Sequence, residues 1–101
     1  MFKGGMAGMM QKAKQMQEDM ESAKQEIKLI SCRGESASGA IKVDLSGDYK
    51  VTNISIDNSL MDDKEMLEDL LILAINNASN EVSLISKEKL KSATGGINLP
   101  F

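Results

Sequence analysis

Apolar and polar residues alternate most regularly along Ala40-Ile41-Lys42-Val43-Asp44-Leu45-Ser46. That spacing sets Ile41, Val43 and Leu45 on one side of a pleat and Lys42, Asp44 and Ser46 on the other. Two flanking segments also have strand character. Val51-Thr52-Asn53-Ile54-Ser55-Ile56 is rich in β-branched residues, and Leu29-Ile30-Ser31-Cys32-Arg33 is apolar with a less regular register. Small polar residues, Glu35-Ser36-Ala37-Ser38-Gly39, separate the first two segments. Ser46-Gly47-Asp48 separates the second and third, with a glycine available for positive φ. The expected product is a three-stranded antiparallel meander whose apolar face needs cover.

The cover comes from both ends of the chain. Met9, Ala13, Met16, Met20, Ala23, Ile27 and Ile30 recur at alternating steps of four and three, a heptad seam. The pattern predicts a helix over about Gly8–Lys28, behind a Gly- and Met-rich start (1–7) expected to be flexible. A methionine seam is an adaptable packing face first, because Met fills irregular gaps. Its sharper use would be to grip a polypeptide. After the meander, Asp62 with Glu65 three residues on resembles a capping box. Leu67, Leu70, Leu71, Ala74, Ala78, Val82 and Ile85 then trace one helical face, which Leu73 and Ile75 widen. This helix runs to about Ala93, where Thr94-Gly95-Gly96 stops it, and 96–101 is expected to be an extended, flexible tail. The order α-β-β-β-α makes an α+β fold in a single domain, 1–101.

Length carries a consequence. A helix of about 31 residues spans ~46 Å, whereas a strand of seven spans ~23 Å. The second helix must overhang the sheet, and an up-down-up meander brings the first helix in at the edge towards which the second runs out. The two are expected to lie antiparallel as a protruding arm. Exposed sheet edges, together with more apolar helix positions than one sheet face can cover, favour a symmetric homodimer.

Charge changes the picture. The net charge of −3 argues against nucleic acid, but the distribution is uneven. Lys3, Lys12 and Lys14 face no acid between Met1 and Met16, and Lys87, Lys89 and Lys91 stand against Glu88 alone after Leu84. The interval from Gln17 to Ser83 holds fourteen acids against six bases. Two basic ends flank an acidic body, and on the antiparallel arm those ends are expected to come together. Lysines near a helix C-terminus also relieve its dipole, so solubility and dipole matching explain Lys87, Lys89 and Lys91 equally well before geometry is added. As point charges, lysines suit backbone phosphates; base reading would call for Arg, Asn or Gln fixed in a groove.

Catalytic chemistry is not written in the chain. It has no His and one Cys, so Cys-His nucleophiles and zinc sites lack their parts. Cys32 in a strand reads as a small core residue, and a lone cysteine fits a reducing cytoplasm. Asp62, Asp63, Glu65, Glu68 and Asp69 are acidic enough to attract a cation, yet they lack calcium-loop spacing and suit a helix start. Gly4-Gly5 and Gly95-Gly96 lack the spacing of a phosphate-cradling loop. With three aromatic residues and no Trp, a base-stacking platform is not expected. No run of 18 apolar residues and no signal-peptide pattern occurs, so the expectations are a soluble protein, no membrane partner, no small-molecule substrate and no cofactor.

The run GESASGAIKVDLSGDYKVTNISID, followed by SLMDDKEMLEDLL and by Gly95-Gly96-Ile97-Asn98-Leu99-Pro100, resembles the YbaB/EbfC nucleoid-associated proteins. The first helix, MMQKAKQMQEDM, is similar to that family's as well. The resemblance implies an α-β-β-β-α fold, a tweezer-shaped homodimer and binding of double-stranded DNA with little sequence preference by arms built from the first and last helices. It places the chain in the cytoplasm at the nucleoid, with an effect on nucleoid organisation and gene expression. On this chain the implied contacts fall on Lys3, Lys12, Lys14, Lys87, Lys89 and Lys91. The competing expectation is an assembly module whose Met-lined helices hold a protein partner.

Overall fold

The structure, a computed structural model, describes residues 2–95, with side chains from Gly5 onward. The order is α1 (Phe2–Lys28), β1 (Ser31–Ser36), β2 (Ile41–Ser46), β3 (Val51–Ile56) and α2 (Lys64–Ala93). The expected α-β-β-β-α arrangement is present. The expectations for 96–101, and for Met1 within 1–7, lie outside the described residues.

The strands form an antiparallel meander in the order β1-β2-β3. Ile41, Val43 and Leu45 are buried on the face that α2 covers, as their alternation requires. Opposed residues share a face, so the pairs Val43–Ile54 and Ile41–Ile56 place Ile54 and Ile56 on that same side, and a register shift at Asp44/Leu45 precedes the pairing of Leu45 with Val51. The outer face is polar. There Arg33 pairs with Asp44 through two bonds, Nε to Oδ1 at 2.8 Å and Nη2 to Oδ2 at 3.1 Å.

Four local details differ from the sequence expectations. α1 begins at Phe2 and not near Gly8, because Gly4, Gly5 and Gly8 weaken a helix without preventing it. β1 runs Ser31–Ser36 and not Leu29–Arg33: Leu29 and Ile30 turn out of α1, which carries Glu35 and Ser36 into the strand. The β1–β2 turn contracts to Ala37, Ser38 and Gly39, all with positive φ. In the β2–β3 turn the positive φ falls on Tyr49, while Gly47 serves a different purpose. A Cβ there would strike the backbone carbonyl of Ile27, so Gly47 lets the end of α1 rest on the sheet.

α2 is capped by Asp63, not Asp62; its carboxylate accepts from the Met66 amide at 3.1 Å. The helix buries Ala74, Ala78 and Val82 against the sheet. Two clusters result. Ile41, Val43, Leu60 and Ala74 fill one, and Cys32, Leu45, Ala78 and Val82 fill the other.

Candidate nucleic-acid interface

Beyond the second cluster α2 leaves the sheet and meets α1. Ile30 and Ile85 pack on that cluster, and four residues further along α2 the Lys89 ammonium lies 3.6 Å from the Glu26 carboxylate. Ala23 is buried and Met16, Met20 and Ile27 are half-buried, so the lower part of the heptad seam is covered. The helices run antiparallel, as length and topology demanded.

Their ends do not coincide. With Lys89 level with Glu26, the end of α2 at Gly95 reaches about the level of Met20, and α1 continues roughly 27 Å past it at 1.5 Å per residue. This projection and the length of α2 account for a molecule whose longest dimension is 74 Å and whose others are 20 and 16 Å. Met6, Met9 and Met10 on the projection are each about 70% exposed. The upper seam has no neighbour among the described residues.

The lysines therefore share one arm but do not gather at one tip, which corrects the expectation from topology. Lys12 and Lys14 are exposed on the projecting part of α1, and Lys87 and Lys91 are exposed on the last turns of α2. The helical rise separates the two sets by about 15–24 Å along the arm. Charge and spacing in the sequence placed these lysines on the two helices of the arm. They did not reveal that α1 outruns α2, which depends on the level at which the helices meet.

Lys89 differs from its neighbours. It lies on the α1 side of α2, half-buried, with Glu26 for a partner. Lys87 and Lys91, four residues apart, share the opposite side. Lys3 belongs to α1, and its side chain lies outside the described residues. Near the sheet the arm is mixed in charge, with Glu18, Asp19, Glu21 and Glu26 on α1; Gln15 Nε2 donates to Asp19 at 3.0 Å. The distal part of α1 carries lysines and no acid.

Elsewhere the ionisable groups serve structure. Asp44 is held below the usual carboxylate range by its bonds with Arg33, and Asp48 by the Ser46 hydroxyl. Asp57 is lowered by the Ser59 amide it caps. Burial, with Glu81 nearby, pushes the Cys32 thiol up and away from the reactive thiolate. Among the described residues no three His, Cys, Asp or Glu side chains are placed to hold a metal ion. No described helix is long and apolar enough to cross a membrane.

Comparison with known proteins agrees with this architecture. A solved structure of protein HP0035 from Helicobacter pylori superposes with a TM-score of 0.65 at 25% identity, covering 72% of this chain and 78% of that one. A relative from Polynucleobacter asymbioticus, named as a nucleoid-associated protein, is 42% identical over 100 residues, 99% of this chain and 94% of its own length. The model of the YbaB/EbfC DNA-binding family matches residues 2–97, and the chain belongs to that family.

Proposed function

We propose that this protein binds double-stranded DNA through backbone phosphates, as a homodimer located at the nucleoid, and that it performs no catalysis. The observation that carries this reading is the projecting part of α1, a free helix bearing lysines and no acid on an otherwise acidic protein of this family. With Lys87 and Lys91 nearer the sheet, cations are strung along the arm over roughly 20 Å, about six base pairs of duplex. Such a row can follow a phosphate backbone. The arm has no arginine to form a bidentate contact with guanine, since the one arginine, Arg33, is paired with Asp44 on the sheet. Low sequence preference follows.

The exposed Met6, Met9 and Met10 favour a second use, with a polypeptide laid on the same projection. A mobility shift of duplex DNA at several salt concentrations separates the two. Phosphate binding gives log affinity falling linearly with log salt, about −0.9 per lysine engaged, and similar affinity on unrelated sequences. No shift at 50 mM salt with micromolar protein overturns the DNA reading and leaves the polypeptide one.

A further inference from the structure

The distal part of α1 presents a seam that nothing described covers. Met9 and Ala13 continue the line of Met16, Met20, Ala23 and Ile27, and Met6 falls beside Met9 one turn further out. Met6 and Met9 are 70% and 72% exposed. Gly5 stands on the same stripe, and a Cβ on it would meet no described atom within 4 Å. A helix standing alone in water is marginal, and Gly4, Gly5 and Gly8 weaken this one further. The end of α2 points to a cover. Leu90 and Ala93 are half-buried there and Thr94 is buried, so α2 stays against α1 to its last turn. Gly95 then takes φ +67°, the left-handed conformation that ends a helix. The chain is released at the level of Met20, at the foot of the bare seam.

We propose that the chain's own tail, 96–101, lies extended along this seam with Ile97, Leu99 and Phe101 against it. The tail is uncharged, and its apolar residues fall at alternate positions, which one face of an extended chain requires. Six extended residues reach about 20 Å, most of the roughly 27 Å by which α1 outruns α2. At that rise Ile97 falls near the level of Met16, Leu99 between Ala13 and Met9, and Phe101 beside Met6, where Gly5 leaves room for a ring. Pro100 fixes its φ in the extended range and lowers the cost of ordering the tail. Charge and tether select this occupant. Lysines without acids flank the seam, so a second copy of the surface would be repelled. A segment joined through Gly95 and Gly96 is present at an effective concentration in the millimolar range, which a separate polypeptide must outcompete. Lys12 and Lys14 lie off the seam and stay open to solvent.

The test is amide hydrogen exchange of the full chain without DNA, comparing the natural protein with Leu99→Asp and Asn98→Asp. Circular dichroism establishes folding, which neither change should disturb, since the core lies on the sheet. In Leu99→Asp the amides of residues 6–13 should exchange roughly tenfold faster or more, while those of residues 20–27 keep their rates. Asn98→Asp adds the same charge on the opposite face of the tail and should exchange like the natural protein. Equal rates at 6–13 in all three proteins, or equal acceleration by both variants, overturns the docking. Methyl cross-peaks between Leu99 and Met9 should also appear in labelled chains diluted in excess unlabelled protein. Cross-peaks that appear only in undiluted samples would assign the tail to another copy and overturn the proposal. No DNA enters these measurements, so their outcome is independent of the DNA reading.

Discussion

Gly34 in β1 lies so close beneath the backbone of α2 that a methyl group on it would overlap the Ala74 carbonyl oxygen and the Ala78 amide nitrogen. Glycine here is a matter of clearance, not of backbone conformation. It lets the helix settle on β1, and Ala74 and Ala78 are small for the same reason.

Gly34→Ala should therefore destabilise the protein by about 3 kcal/mol, near the top of the usual range for overpacking, because the obstruction is backbone on both sides. Urea unfolding followed by circular dichroism measures it. A loss below about 0.5 kcal/mol would mean that α2 lifts off β1 without cost.

The contrast between Val43 and Gly34 explains what could be foreseen from the chain. Alternation around Val43 depends on the period of a strand alone, so the meander and its buried face were legible. So was α2, whose small and branched residues at Ala74, Ala78 and Val82 repeat every turn. Where α2 lies across the sheet depends on contact between two distant backbones at Gly34, and no periodicity records that. The arm shows the same division: its lysines were legible, but their spacing follows from the meeting of Glu26 with Lys89.

Asp44 gives the protein an acid-sensitive component. Its carboxyl titrates lower in the folded protein than in the unfolded chain, chiefly through its bonds with Arg33. The stabilisation is therefore complete above the ordinary aspartate value near 4 and is lost as pH falls through the lowered one. Asp48 and Asp57 act in the same direction. Asp44→Asn should flatten the fall in urea midpoint between about pH 4 and pH 2 and leave its slope between pH 6 and 8 unchanged. An acid limb identical to that of the natural protein would show that the pair contributes nothing.

Cys32 tests whether the thiol is anything but packing. It is buried against Leu45, Ala78 and Val82. Cys32→Ser buries a hydroxyl in that cluster and should cost roughly 1–3 kcal/mol. In the native protein the thiol should react slowly with thiol reagents at neutral pH and rapidly once unfolded. DNA affinity of the folded variant should match the natural protein. Folded protein with lost affinity would give the thiol a role.

The arm yields the sharpest prediction because the candidate lysines on it are not equivalent. Lys12 with Lys14, and Lys87 with Lys91, are exposed, and each pair replaced by Gln should flatten the slope of log affinity against log salt by up to about two units. Lys89 already has Glu26 beside it, so Lys89→Gln should change the slope by clearly less than one exposed lysine does. Removing the acid should do the reverse: Glu26→Gln frees the Lys89 ammonium and should strengthen binding at low salt. All these changes should act alike on unrelated sequences, since phosphates carry no sequence information. Lys42→Gln and Lys50→Gln on the meander should have little effect, because acids surround them. Reversal to Glu on the arm should weaken binding more than neutralisation, since it adds repulsion. The fold and oligomeric state should persist, as none of these side chains belongs to the core. Two folded double variants with the affinity and salt slope of the natural protein would show that the arm does not contact DNA.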